Sequence, residues 1–178
     1  ARLQSQMDAM LGPLGRAGID HLSPSPCASV LDVGCGCGDT SLALAGRGAV
    51  VTGVDVSGPM LERARGRAAE AGLMIAFEQA DASSHVFDEP FAHMFSRFGV
   101  MFFADPVAAF GHIRTQLKPD GSLSFVCWRP AQENPWIALP TAVLFKHLPR
   151  PDATPDPHAP GPFAFAGKDR VAGLLQEA

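Results

Sequence analysis

Val30-Leu31-Asp32-Val33-Gly34-Cys35-Gly36-Cys37-Gly38-Asp39-Thr40 decides the fold. Apolar residues around one acid run into three glycines on alternate positions, and a run of good helix formers, Thr40 to Ala45, follows. A buried strand that ends in such a loop brings bare backbone close to a ligand, because glycine takes positive φ without cost and has no Cβ to block the approach. The stretch therefore predicts a ligand-binding crossover from strand to helix.

The spacing narrows the ligand. A dinucleotide loop reads G-x-G-x-x-G, whereas this one reads G-x-G-x-G with Asp32 inside the preceding strand. No Gly-Lys-Ser/Thr follows, so it is not a P-loop. Phosphate sites use loop amides and a helix N-terminus, but Asp39 stands at that position and repels a phosphate. The loop suits a nucleoside-like ligand that carries positive charge and no phosphate.

Outward from the loop, strand and helix signals alternate. Ala1 to His21 reads as a helix that Gly12-Pro13 interrupts. Ser29 to Val33 is a buried strand, Val50 to Asp55 a second, Met74 to Gln79 a third and Phe91 to Phe95 a fourth. Ser57 caps a helix with Pro59 in its first turn, and Met60, Ala64 and Ala68 share its inner face. Gly72 ends that helix. Asp105-Pro106 opens another, with Phe110, Ile113 and Leu117 on one side. Pro119-Asp120-Gly121 reads as a turn and Ser122 to Trp128 as strand five. Asn134-Pro135 starts a helix ending near Leu148. Pro149 to Pro162, with six prolines, reads as an irregular loop or lid. Lys168 to Ala178 is helical again, with Val171, Leu174 and Leu175 as its apolar stripe. The alternation implies an α/β fold: a Rossmann-like open parallel sheet with helices on both faces.

Length and charge set the class. A chain of 178 residues with 47% hydrophobic residues builds one enzyme-sized core. Its net charge of −4 argues against a nucleic-acid partner. No apolar run approaches a membrane span. Cys27, Cys35, Cys37 and Cys127 form neither a disulfide framework nor a zinc ligand set, so no metal is expected and the compartment reads as cytoplasmic. His93 is expected as a buried imidazole bonded to backbone, and His112 on the exposed side of its helix. Phe98, Phe102 and Phe103 are either helix-period core or the lining of an apolar acceptor pocket.

Leu31-Asp32-Val33-Gly34-Cys35-Gly36-Cys37-Gly38, Val54-Asp55-Val56-Ser57, Ala80-Asp81-Ala82, Ser96-Arg97-Phe98-Gly99-Val100-Met101-Phe102-Phe103 and Leu117-Lys118-Pro119-Asp120-Gly121 follow one another in order. Together they resemble the motifs of class I S-adenosylmethionine-dependent methyltransferases, over roughly Ser29 to Trp128. The flavour is similar to the ubiquinone/menaquinone-biosynthesis-type group, whose members methylate small molecules. The resemblance implies S-adenosylmethionine as cofactor, a small-molecule methyl acceptor, and two further strands after the last helix. The natural chain is accordingly expected to run beyond Ala178. It also divides the chain into an N-terminal helical segment (1–28), a cofactor-binding core (29–128) and a substrate-side segment (129–178).

Ligands of open parallel sheets sit beyond the carboxyl ends of the strands. That puts Gly34, Cys35, Gly36 and Gly38 under the methionine part and the ribose. Asp55, 23 residues after Asp32, is expected to accept both ribose hydroxyls. Val56 and Met60 are expected against the adenine, although Met60 suits ordinary core equally well. Asp81 is placed to accept from the adenine amine, and Ala82 to turn its N–H toward the ring. Asp32 is expected to organise the loop from inside, with a water path to the ammonium. Ser96 and Arg97 flank the methionine end, Arg97 as a ligand contact or a structural ion-pair partner. No residue stands out as a general base. A non-catalytic binding module of the same fold is the alternative, and an NAD-type oxidoreductase is disfavoured by the glycine spacing.

Overall fold

A computed structural model of the chain describes residues 3–149 and 156–178. The elements run α1 (Gln4–Leu22), β1 (Ser29–Val33), α2 (Asp39–Ala45), β2 (Val50–Asp55), α3 (Gly58–Glu70), β3 (Ala76–Gln79), β4 (Phe91–Arg97), α4 (Pro106–Thr115), β5 (Leu117–Val126), α5 (Pro135–Leu144) and α6 (Lys168–Glu177). The five strands form one sheet in the order β3-β2-β1-β4-β5, parallel throughout. Strand order reverses between β1 and β4, and this reversal positions the site.

Alternation along the strands divides the core. Val30, Val51 and Phe95 pack with Ile19 and Leu44 under α1 and α2, while Leu31, Val33, Val54 and Met94 pack with Phe110, Ile113, Phe165 and Leu174 under α4 and α6. Asp32 shares the parity of Val30 and so faces α2. The expected stripe on α6 is used: Leu174 is buried, with Val171 and Leu175 beside it.

Several elements depart from the sequence reading. Pro13 does not interrupt α1, which runs unbroken across it. Packing outweighs the lost hydrogen bond: a Cβ on Gly18 would lie 2.8 Å from Val126 Cγ2, so the missing side chain lets α1 lie directly on the sheet. The inner face of α3 is Leu61, Ala64 and Ala68, while Met60 stays 42% exposed. Ser57 stands at the N-cap of α3 without a side-chain cap bond. Asp105 does cap α4, accepting from Ala108 N at 3.0 Å.

The strand ends shift as well. β3 begins at Ala76, leaving Met74 exposed, and β4 continues through Ser96 and Arg97. Pro119-Asp120-Gly121 lies within β5, where four residues between Leu117 and Ser122 face the single residue between Phe91 and His93. The turn is thus absorbed as an irregularity in the ladder, and β5 ends at Val126, before Trp128. α5 stops at Leu144 rather than near Leu148. His93 is half-buried on the Ser122 hydroxyl at 2.8 Å instead of on backbone. His112 is half-buried, 2.7 Å from the His85 carbonyl. In the proline-rich segment, residues 150–155 lie outside the described residues.

Candidate functional site

The glycine loop is built by three left-handed residues, Gly34 (φ +67°), Gly36 (φ +55°) and Gly38 (φ +80°). Gly34 sits at the strand reversal, where a Cβ would lie 2.8 Å from Gly99 Cα on the loop after β4. The N–H groups of Gly34 and Cys35 donate to Val54 O at 2.9 and 3.1 Å. Gly36 N donates to Asp55 Oδ2 and Ser57 N to Asp55 Oδ1, each at 2.9 Å. One carboxylate therefore ties the loop after β1 to the start of α3. A carboxylate oxygen accepts more than one hydrogen bond, so Asp55 keeps acceptor capacity for a ligand.

Asp32 is fully buried behind the loop. Its Oδ2 accepts from Thr40 Oγ1 at 2.7 Å and Ser41 Oγ at 2.6 Å, while Oδ1 has no partner. Burial raises its pKa to about 6, against the pull of the two hydroxyls and Arg97. Burial likewise pushes the Cys35 thiol far above its ordinary range and that of Cys127 up to about 12, so neither is a thiolate nucleophile. Asp81 accepts from Ser83 N at 2.9 Å and Ser83 Oγ at 2.7 Å, and these bonds hold its carboxyl below the usual range.

Two cavities flank Gly34, and Gly34, Arg97 and Phe98 line both. The first, of about 350 Å³, opens between Asp55, Val56, Asp81 and Ala82 on one side and Phe102 and Phe103 on the other. The second, of about 320 Å³, lies between the loop, Met60 and the side chains of α1. The Ala82 N–H has no backbone or side-chain partner among the described residues, and Ala82 lines the first cavity. Phe98 holds φ +65°, a conformation unfavourable for a bulky residue, and stacks on Trp128 with centroids 4.4 Å apart. Trp128 in turn meets Trp136 of α5 at 5.0 Å.

The structure thus brings together Gly34, Asp55, Val56, Asp81, Ala82 and Arg97 on one cavity, and Cys35, Gly36 and Met60 on the other. Val56 and Met60 do not share a wall, so they do not form one floor. Three expected contacts stand behind the walls instead. Asp32 braces α2 through the hydroxyls of Thr40 and Ser41. A Cβ on Gly38 would meet Ala64 Cβ at 3.0 Å, so that glycine packs α2 against α3. Ser96 is wholly buried, donating to Val33 O at 2.8 Å and accepting from Gly99 N at 3.2 Å. Arg97 pairs with Asp39. Phe98, Phe102 and Phe103 line the first cavity, and Phe98 and Phe103 also pack against the core. The wall from α1, Met7, Asp8 and Leu11, was not legible in sequence, because no local signal marks a contact so far along the chain. Among the described residues no cluster of three or more His, Cys, Asp or Glu could hold a metal ion.

Residues 30–121 match the family described as methyltransferase domain. With the parallel sheet and the glycine loop at its reversal, this match makes the chain a member of the class I S-adenosylmethionine-dependent methyltransferases. It is 33% identical over 122 residues to the uncharacterized protein Rv1405c of Mycobacterium tuberculosis, covering 68% of this chain and 44% of that protein. It is 39% identical over 103 residues to the ubiquinone biosynthesis O-methyltransferase of Actinobacillus pleuropneumoniae, covering 54% and 44%. Among solved structures it resembles the [4+2]-cyclase SpnF at 29% identity and a TM-score of 0.60, covering 64% of this chain and 43% of that one. The chain thus spans less than half the length of these relatives.

Proposed function

We propose that this protein transfers the methyl group of S-adenosylmethionine to a small-molecule acceptor. The observation that carries the reading is Asp55: it ends β2, lines the larger cavity, and is locked to the glycine loop through Gly36. A carboxylate so held is preorganised to accept a ribose diol. Asp81 and the Ala82 N–H face the position of the adenine, and the second cavity takes the amino-acid end beside Arg97. Gly36 suits glycine chiefly through its φ of +55°; a Cβ there would also press on Met60 Cε at 2.9 Å beside this cavity.

The bound cofactor supplies an electrophilic methyl on its sulfonium. The protein's part is to hold cofactor and acceptor in line and keep water out, and orientation of that kind contributes on the order of 7–11 kcal/mol. Phe98, Phe102 and Phe103 give the larger cavity an apolar, aromatic wall, which suits an apolar or aromatic acceptor. The ladder Phe98–Trp128–Trp136 extends this wall to α5, whose Trp136, Leu139 and Val143 are exposed, and this supports residues 129–178 as the acceptor side. The relative named for ubiquinone biosynthesis fits such an acceptor. No helix among the described residues is long and apolar enough to cross a membrane. With four free cysteines and net negative charge, this favours a cytoplasmic protein acting on a metabolite rather than on nucleic acid.

Titration calorimetry with S-adenosylhomocysteine and with NAD tests the cofactor. Binding of the first and silence with the second is expected; the reverse would sink the reading. Transfer of labelled methyl from S-adenosylmethionine into fractionated metabolites then identifies the acceptor. The likeness to SpnF, a cyclase by name, favours one rival: cofactor binding on this fold with other chemistry. Tight binding with no transfer to any fraction would select it.

A further inference from the structure

Arg67, on α3, has no place in the walls of either cavity, yet it joins three parts of the site. Its Nη1 donates to the Cys37 carbonyl of the glycine loop at 2.7 Å. Its Nη2 pairs with Asp8 Oδ2 of α1 at 2.7 Å and lies 3.8 Å from Asp39 Oδ1. Asp39 holds Arg97 with its other oxygen, and Gln4 Nε2 donates to the remaining oxygen of Asp8 at 2.8 Å. Two arginines and two aspartates therefore form a neutral chain, Asp8–Arg67–Asp39–Arg97. Its side chains are 14–23% exposed, less open to screening than the surface pairs of the same helix.

The chain of charges has a geometric consequence. Gln4, Met7, Asp8 and Leu11 form one wall of the second cavity, and the glycine loop forms the facing wall. Between the first turns of α1 and the loop, Arg67 is a direct polar link. We propose that Arg67 is a positioning residue that latches α1 over the second cavity and thereby sets how long the cofactor product stays bound. The inference rests on the cofactor reading above, and goes beyond it in assigning release to a residue that does not touch the ligand. A planar guanidinium is needed, because one fork must serve a carbonyl and a carboxylate in different directions; lysine offers a single point charge.

The test is surface plasmon resonance of S-adenosylhomocysteine on wild-type protein, Asp8→Asn, Arg67→Lys, Arg67→Met and the double variant Asp8→Asn/Arg67→Met. Asp8→Asn should release the ligand about five- to tenfold faster at little change in association rate, as loss of one coupled contact predicts. Arg67→Met should be at least as fast, the double variant no faster than Arg67→Met, and Arg67→Lys intermediate. Hydrogen exchange of the ligand-free protein should rise in α1 in all of these variants and at Cys37–Asp39 only where Arg67 is changed; the α1 readout survives if Arg67→Met folds poorly, since Asp8→Asn leaves the loop contact in place. Wild-type binding with unchanged release and unchanged exchange in Asp8→Asn overturns the latch alone. A wild-type protein that binds no S-adenosylhomocysteine overturns the cofactor reading and the latch together.

Discussion

The backbone N–H of Gly36 donates to Oδ2 of Asp55 at 2.9 Å, so the glycine loop after β1 and the acid that ends β2 act as one unit. Two features that read in the sequence as separate motifs hold each other in the geometry a ligand would need. The second oxygen extends the unit to Ser57 and the start of α3.

Asp55→Ala should therefore weaken S-adenosylhomocysteine by ~2–3 kcal/mol, roughly 30- to 150-fold, through lost charge-assisted bonds. It should also lower stability by about 1–2 kcal/mol, because the amides of Gly36 and Ser57 lose their acceptor. Asp55→Asn keeps one acceptor and should recover part of the stability but little of the affinity. Calorimetry and urea unfolding on the same samples separate the two effects. Full affinity in a folded Asp55→Ala protein would show that this acid serves the loop and not the ligand.

Gly34→Ala is expected to be more damaging than either Asp55 change. The residue holds φ +67°, and the added Cβ would lie 2.8 Å from the backbone of Gly99, where no side chain can swing aside. Left-handed strain and a backbone collision together suggest ~2–5 kcal/mol of lost stability. Denaturant midpoints check this; a loss below about 1 kcal/mol would mean the strand reversal is more pliable than its packing implies.

The bounds of β1 and β2 were legible because the first apolar, β-branched run stops at glycine and the second at an acid. The cavity-lining positions were legible to the same depth where an apolar run closes at a strand's carboxyl end, as at Gly34, Asp55 and Arg97. What failed were readings in which one local rule met a packing demand. Pro13 breaks an isolated helix, but the small face at Gly15 and Gly18 holds α1 on the sheet regardless. Met60 fits the inner period of α3, but Leu61 fills the core one residue on and turns Met60 toward the loop. Ser96 looked like a wall residue because it adjoins Arg97, and strand alternation sends the two side chains opposite ways. The Asp8–Arg67 pair had no signature, since its partners lie 59 residues apart and neither stands in a motif.

At Phe98 the usual order of substitutions should invert. With φ +65°, glycine is the residue the backbone prefers, whereas any side chain with a Cβ is strained there. Phe98→Gly and Phe98→Ala both lose the stack on Trp128, but Phe98→Gly should be the more stable by about 1 kcal/mol. Thermal melts of the pair decide it, and a more stable alanine variant would contradict the left-handed assignment.

Asp32 is buried with one oxygen unpartnered, and burial raises its folded pKa to about 6 from an ordinary value of 3.8. A carboxyl with a raised folded pKa binds its proton more tightly in the native state than in the unfolded chain. Its contribution to stability is therefore fully present below pH 3.8 and is lost as pH rises through about 6, the reverse of a salt-bridged aspartate. The difference corresponds to roughly 3 kcal/mol. Asp32→Asn removes this titration while keeping an oxygen for Thr40 and Ser41. Chemical unfolding of wild type and variant from pH 4 to 8 should show the stability gap shifting in favour of the variant across pH 4–6.5 and levelling above it. A gap that stays constant across the range would mean that Asp32 has an ordinary folded pKa, supplied by a partner for its free oxygen.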